Sequence, residues 1–352
     1  PMVGVLSLQQ LFTVPVYLAA FIREQTAYSN KSILSGMLAQ LVHVGQERLG
    51  YAVVNPSSFD LKKQESKQHP VIPTRIYLGL INVTGDLIDQ LYQGVGAYES
   101  FIQSFVDEHY GINLHNQKAR GLGGKSRYRP DMTQAINDHG LSAVLVNEFA
   151  CPFKRNVQNV LLKMQYVVKI IIHLYTGMRD QEVLRMPYKC LSERDFRLPV
   201  VDDKNIVRDQ SQAVSVLSTT TKYTGYKKDG AWFAPGEVVK AVEIAQAICR
   251  GLAKLYKIEL DDRCPLFLNP SIVGNSRKTD EVTVTGFESK RTQLSVLQAL
   301  KIQKEDLAEL AQSDPSRDFY NEPEFSIGQS WPLTSHQFRR SLAFYGSSSG
   351  FV

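Results

Sequence analysis

The stretch Val157–Tyr175 constrains the fold more than any other part of the 352-residue chain. Its apolar residues recur at helical spacing and cover several faces, so it reads as a long helix buried on more than one side. Such a helix needs a core built around it by the rest of the chain. It ends at Gly177, where a left-handed stop is expected. Lys163, Gln165, Lys169 and His173 interrupt its most apolar part, Val160–Leu174, so it does not read as a membrane span. The chain is too long for one ordinary core, and two domains are expected.

The surrounding pattern supplies the remaining elements. Leu6–Phe21 and Ile33–Leu49 have helical periodicity, with Ser29–Asn30 placed to cap the second. Asn55–Pro73 is polar and reads as a surface connection. Arg75–Leu91 and Tyr98–Tyr110 read as helices, the latter stopping at Gly111. Asn116–Pro130 is basic and glycine-rich, which marks it as a linker. The expected division is therefore a helical domain over 1–128, a linker and domain entry over 129–150, and a second domain over 151–352. In the second domain, Ala213–Thr221 and Ala231–Ala234 flank a polar loop with two glycines and read as a hairpin. Val238–Tyr256 and Val296–Gln312 read as helices, Ser313–Pro332 as irregular, and Ser335–Ala343 as the start of a last helix capped by Leu333–Ser335. The fold class expected is α+β and mostly α, with a small antiparallel sheet.

Three segments carry chemistry. In Leu174–Leu184, the turn at Gly177 delivers Arg179 to the head of a new helix, with Glu182 one turn on along the same face. A guanidinium so held can fork two hydrogen bonds to a phosphate while Glu182 fixes its neighbours. The same residues also read as an ordinary surface Arg–Glu pair after a turn. In Thr219–Phe233, Lys222 falls at the mouth of the hairpin, where its ammonium could protonate a leaving oxygen. Lys227 and Lys228 could touch a DNA backbone, or form a solvated lysine-rich turn. In Leu333–Leu342, His336 and Arg339 share a helical face, while Phe338 and Leu342 pack the helix down. A second arginine on the phosphate is what a pentavalent transition state needs, with charge spread over its non-bridging oxygens.

The order Thr176–Gly–Met–Arg179–x–x–Glu182, a Thr–Lys222 hairpin, then His336–x–x–Arg339–Arg340 resembles the tyrosine recombinase (lambda-type integrase) family. The resemblance covers about the second half of the chain, from Asn156 onward. The first half resembles that family's helical core-binding domain in composition and position alone. The resemblance implies a site-specific enzyme of DNA recombination and integration, serving a mobile genetic element such as a phage and needing no cofactor or metal. It implies that Arg179 and Arg339 clamp the scissile phosphate, with Glu182 and Arg340 in support. Lys222 would be the general acid for the 5′ oxygen and His336 would assist proton transfer. In the family a tyrosine attacks, forming a 3′-phosphotyrosyl link. That tyrosine stands a few tens of residues beyond the His-x-x-Arg element, whereas this chain has thirteen residues after Arg339. Tyr345 is the one tyrosine among them, and it is expected on the same helix, unable to reach in line. The expectation is thus a fragment that binds DNA but lacks the nucleophile, a reading that its start at Pro1–Met2–Val3 also suggests. Its partners would be double-stranded DNA, clamped between the two domains, and copies of itself. The full-length protein would form a tetramer on paired sites, while the fragment could be a monomer. The expected location is the bacterial cytoplasm, at the nucleoid.

Other classes fit less well. The net charge of +5, from 40 Lys+Arg against 35 Asp+Glu, permits a nucleic-acid partner without demanding one. With 43% hydrophobic and 21% charged residues the chain has the composition of a folded protein, not a disordered one. Cys151, Cys190, Cys249 and Cys264 form no CxxC pair, which argues against a zinc knuckle and for reduced, buried thiols. His43, His69, His109, His115, His139 and His173 show no zinc-like spacing. Gly124–Lys125–Ser126 partly fits a phosphate-binding loop, but no strand precedes it and Pro130 follows closely. A type IB topoisomerase uses similar chemistry but generally has lysine where His336 stands. A degenerate, non-catalytic DNA-binding remnant is the remaining alternative. The long stretch 266–331 between hairpin and His336 reads as an insertion.

Overall fold

The computed structural model describes residues 7–24, 28–59, 68–122, 127–192, 196–201, 207–220, 227–274, 282–284, 286–287 and 292–348. The chain forms two compact units, parted between Gln68 and His69. The first holds helices α1 (Leu8–Thr13), α2 (Pro15–Glu24), α3 (Tyr28–Val44) and α4 (Gln46–Leu49). Phe12, Leu18, Ile22, Leu34 and Leu38 form its core. Helix α3 already begins at Tyr28, so Ser29 and Asn30 lie within its first turn rather than ahead of it. It breaks at Gly45, whose φ of 83° is left-handed, and α4 follows as a separate turn.

The second unit is built around the buried helix. Its elements before that helix are α5 (Thr74–Tyr92), α6 (Tyr98–Gln103), α7 (Leu114–Ala119) and α8 (Met132–Asp138). Helix α9 (Val157–Thr176) is buried at every position from Val167 to Leu174 and is covered by α5 and by two later helices. Each such aliphatic side chain withdrawn from water stabilises the fold by about 1.5–3 kcal/mol. Helix α10 (Asp180–Leu184) follows, then strands β1 (Phe196–Val201), β2 (Val207–Thr220) and β3 (Lys228–Ala234) in an antiparallel sheet of that order. Helix α11 (Gly236–Tyr256) packs on α6 and α9. A Cβ on Gly251 would stand 2.6 Å from the Ile102 Cβ, so a side chain there would push α11 and α6 apart. The chain then passes through α12 (Ser295–Gln298) and α13 (Lys304–Ser313) to α14 (Ser335–Ser348), which lies on α9. Mostly helical with a small antiparallel sheet is therefore the fold class. Among the described residues no helix is long and apolar enough to cross a membrane.

Several expected boundaries move. The division does not fall at 129–150: α5, α6, α8, α9, α11 and α14 share one hydrophobic core running from Ile72 to Phe338. The basic stretch Asn116–Pro130 is no linker between domains. Its Gln117 side chain is fully buried and donates to the carbonyls of Ile112 (2.6 Å) and Arg129 (2.9 Å) while accepting from the Arg129 N–H. The loop is thereby closed at its base and returns to where it left. The helix expected over Tyr98–Tyr110 stops at Gln103 and continues only as a 3₁₀ turn. The one expected over Val296–Gln312 is two, because Lys301 and Ile302 pair with Ser330 and Gln329 and interrupt it. Strand β1 was not expected: Pro199 cannot donate to a ladder, and it is tolerated because β1 is an edge. The stretch 266–331 is no appendage, since Arg75 forks to Asp306 and Thr74 donates to Glu309. Gly124, Lys125 and Ser126 lie outside the described residues.

Candidate functional site

The site begins at the end of α9. Gly177 takes φ 61°, ψ 19°, and its N–H caps the carbonyl of His173. The chain turns and restarts as α10 with Arg179 at the N-cap. The turn is gripped from below. Lys169 and His173, one helical turn apart on α9, both face Asp180 Oδ1, at 2.5 Å and 3.6 Å. His173 Nδ1 lies 2.9 Å from the Met178 carbonyl. Its ring lies parallel to Phe338 of α14. The adjacent His173 and Lys169 side chains overcome burial and draw the Asp180 carboxyl down to about 2. Lys169 is 5% exposed and His173 1%, so these are core groups.

Arg179 is held from above. Glu182, 3% exposed, accepts from the Arg179 N–H and from its Nη1, each at 2.7 Å. It also accepts from the hydroxyl of Thr220 at the end of β2, at 2.8 Å. Ser218 on the same strand donates to the Glu182 carbonyl. Burial would push this carboxyl up, but hydrogen bonds from Arg179 and Thr220 hold it below its usual range. The end of β2 is therefore tied to the helix that presents Arg179. Lys222, two residues beyond Thr220, lies outside the described residues.

Helix α14 closes the other side. Arg339 donates from Nη1 to the carbonyl of Gly177 at 2.8 Å, so its guanidinium reaches the backbone two residues before Arg179. Leu342 packs where a Gly177 Cβ would be, 3.2 Å away. Phe338 is buried as its spacing implied. His336 is exposed on α14, and its ring stacks on that of His69 with centroids 5.0 Å apart and planes 9° from parallel. Arg340 donates to the His69 carbonyl at 2.8 Å. Tyr345 points away from this turn: its hydroxyl donates to the Ile72 carbonyl at 2.6 Å, and burial pushes it up to about 12.

On the far face of α10 lies an open cleft of about 1420 Å³. Arg185, Lys189, Lys227 and Arg263 line it, against Asp229 and Asp262. Lys227 and Lys228 are exposed, and Lys228 pairs with Thr220 across the sheet.

The structure thus brings Arg179, Glu182 and Arg339 to one turn, while His336, one helical turn before Arg339 on α14, stacks on His69, whose carbonyl Arg340 holds. It also adds groups that the motifs did not single out. Lys169 had a visible signal, because it lies four before His173 and makes a polar stripe on an apolar helix. His69 had none, being 267 residues from its partner. What these features define is a turn fastened from both sides, with Arg179 and Arg339 on it, and a cleft that Arg185, Lys189, Lys227 and Arg263 line on the far face of α10. No model of a known family, no curated protein and no solved structure matches the chain.

Proposed function

We propose that this chain binds duplex DNA and grips one phosphodiester between Arg179 and Arg339, as a site-specific recombinase of the tyrosine-integrase kind. The observation that carries the reading is the bond from Arg339 to the Gly177 carbonyl, which assembles two guanidinium groups on one turn from elements far apart in sequence. Both side chains keep donors beyond those engaged in the fold, since a guanidinium has five. Two cations at one phosphate match the charge that develops on its non-bridging oxygens as it becomes pentavalent. On this reading His336 donates to the same phosphate. Lys222, two positions beyond Thr220 in the sequence, protonates the departing 5′ oxygen. The reaction then needs an attacking tyrosine, and Tyr345 is not it, because its hydroxyl is committed to Ile72. The basic cleft with Lys227 continues the path of the backbone, and most of the affinity is electrostatic.

The test is fluorescence anisotropy with a labelled duplex, titrated at several salt concentrations. Binding should weaken steeply with salt, and Arg179→Ala or Arg339→Ala should each lower affinity about tenfold at low salt, the size of one charge-assisted contact. Absence of duplex binding, or binding indifferent to both substitutions, overturns the reading.

A further inference from the structure

We propose that His69 is a second imidazole of the phosphate site, forming with His336 a stacked pair that takes up a proton when a phosphodiester binds. The proposal rests on the DNA-binding reading above and adds to it a residue and a pH dependence.

The geometry carries it. His69 opens the second unit and runs alongside α14 for several residues, fastened at three points. Arg340 donates to its carbonyl, the Ile72 N–H donates to Ser341 Oγ at 2.8 Å, and Tyr345 donates to the Ile72 carbonyl. These bonds fix the backbone of His69 against the helix that carries His336 and Arg339. Its ring has no need to stack there for the sake of the core, because both imidazoles are exposed. The two exposed rings stack nearly parallel with centroids 5.0 Å apart, one helical turn from Arg339 along α14.

Charge explains what the pair does. The groups facing His69 are His336 and Arg340 from α14, and Arg317 and Glu324 from the segment before it. Burial, then His336, Arg317 and Arg340, lower the His69 pKa, and Glu324 offsets them only in part. Two imidazolium rings this close, beside two guanidinium groups, repel. An anion beside the pair removes the penalty, since it stabilises both charges at once. The second proton therefore arrives with the phosphate, and the grip tightens as pH falls through the histidine range.

The experiment compares duplex-DNA affinity at pH 6 and pH 8, at fixed ionic strength, for the whole chain and for His69→Gln, His69→Lys and His336→Gln. The wild-type chain should gain about threefold from pH 8 to pH 6, since a proton taken up on binding by a group with a lowered pKa is only partly counted at pH 6. His69→Gln should bind as the wild type does at pH 8 and lose most of the gain at pH 6. His69→Lys, charged at both values, should bind at pH 8 as tightly as the wild type at pH 6. In parallel, the His69 imidazole followed by NMR without DNA should titrate at higher pH in His336→Gln, where its facing imidazole is gone. A wild-type pH profile reproduced by His69→Gln overturns the role of His69 while DNA binding itself stands. A His69 titration unmoved by His336→Gln overturns the coupling. Failure of the wild type to bind duplex at either pH sinks this proposal together with the one it rests on.

Discussion

Arg179 and Arg339 meet at one turn but are built in different ways. Arg179 is held inside the fold: its side chain is 27% exposed and pairs with a buried glutamate that β2 also grips. The turn beneath it is pinned by a lysine and a histidine from the middle of the core. Arg339 stands on an exposed helix face, anchored to the Gly177 carbonyl. One half of the site inherits its rigidity from the core, and the other inherits its position from where a single helix docks. The difference teaches that damage to the first half should register as lost stability as well as lost binding, and damage to the second as lost binding alone.

The largest effect expected is that of Asp180→Ala, which strands Lys169 in the core without its counter-charge. A loss of about 3–5 kcal/mol in urea unfolding is expected, and replacing Lys169 by Met in the same chain should restore most of it. A loss below about 1 kcal/mol would break the comparison, since the Arg179 turn would then owe little to the core. Acid offers a second route to the same group. Because the folded Asp180 carboxyl lies at about 2, below its ordinary 3.8, its contribution is complete above pH 4 and disappears as pH falls toward 2. That contribution is about 2 kcal/mol, and the acid-unfolding curve of Asp180→Asn should lack it. Ser341→Ala leaves the buried Ile72 N–H without its acceptor, at about 1–2 kcal/mol by the same unfolding measurement. It should also loosen His69 and thereby flatten the pH dependence of DNA binding. Least of all, Arg339→Ala should cost under about 1 kcal/mol in stability while lowering DNA affinity, which is the sharpest form of the contrast.

The core of the second unit was legible in the pattern, because a run such as Val157–Leu174 admits few environments. The Gly177 stop, the Arg179 N-cap and the face shared by His336 and Arg339 were legible for the same reason: helical spacing and glycine stereochemistry act over a few residues. Element ends were less so. Helix α12 ends early because of pairing with Ser330, which no local propensity reports. The boundary between units was misread because Asn116–Pro130 has the composition of a linker, and only the burial of Gln117 shows that its two ends meet.

By itself, then, the order of residues determined which groups stand at helix starts and turns, since those depend on near neighbours. It also determined that the second unit would wrap a buried helix. Whether Arg339 would reach the Arg179 turn, and whether His69 would lie on His336, was decided only when α14 docked on α9 and the 69–74 segment hydrogen-bonded along it. Contacts between residues hundreds of positions apart arise from the packing of whole surfaces, and no short-range rule encodes them.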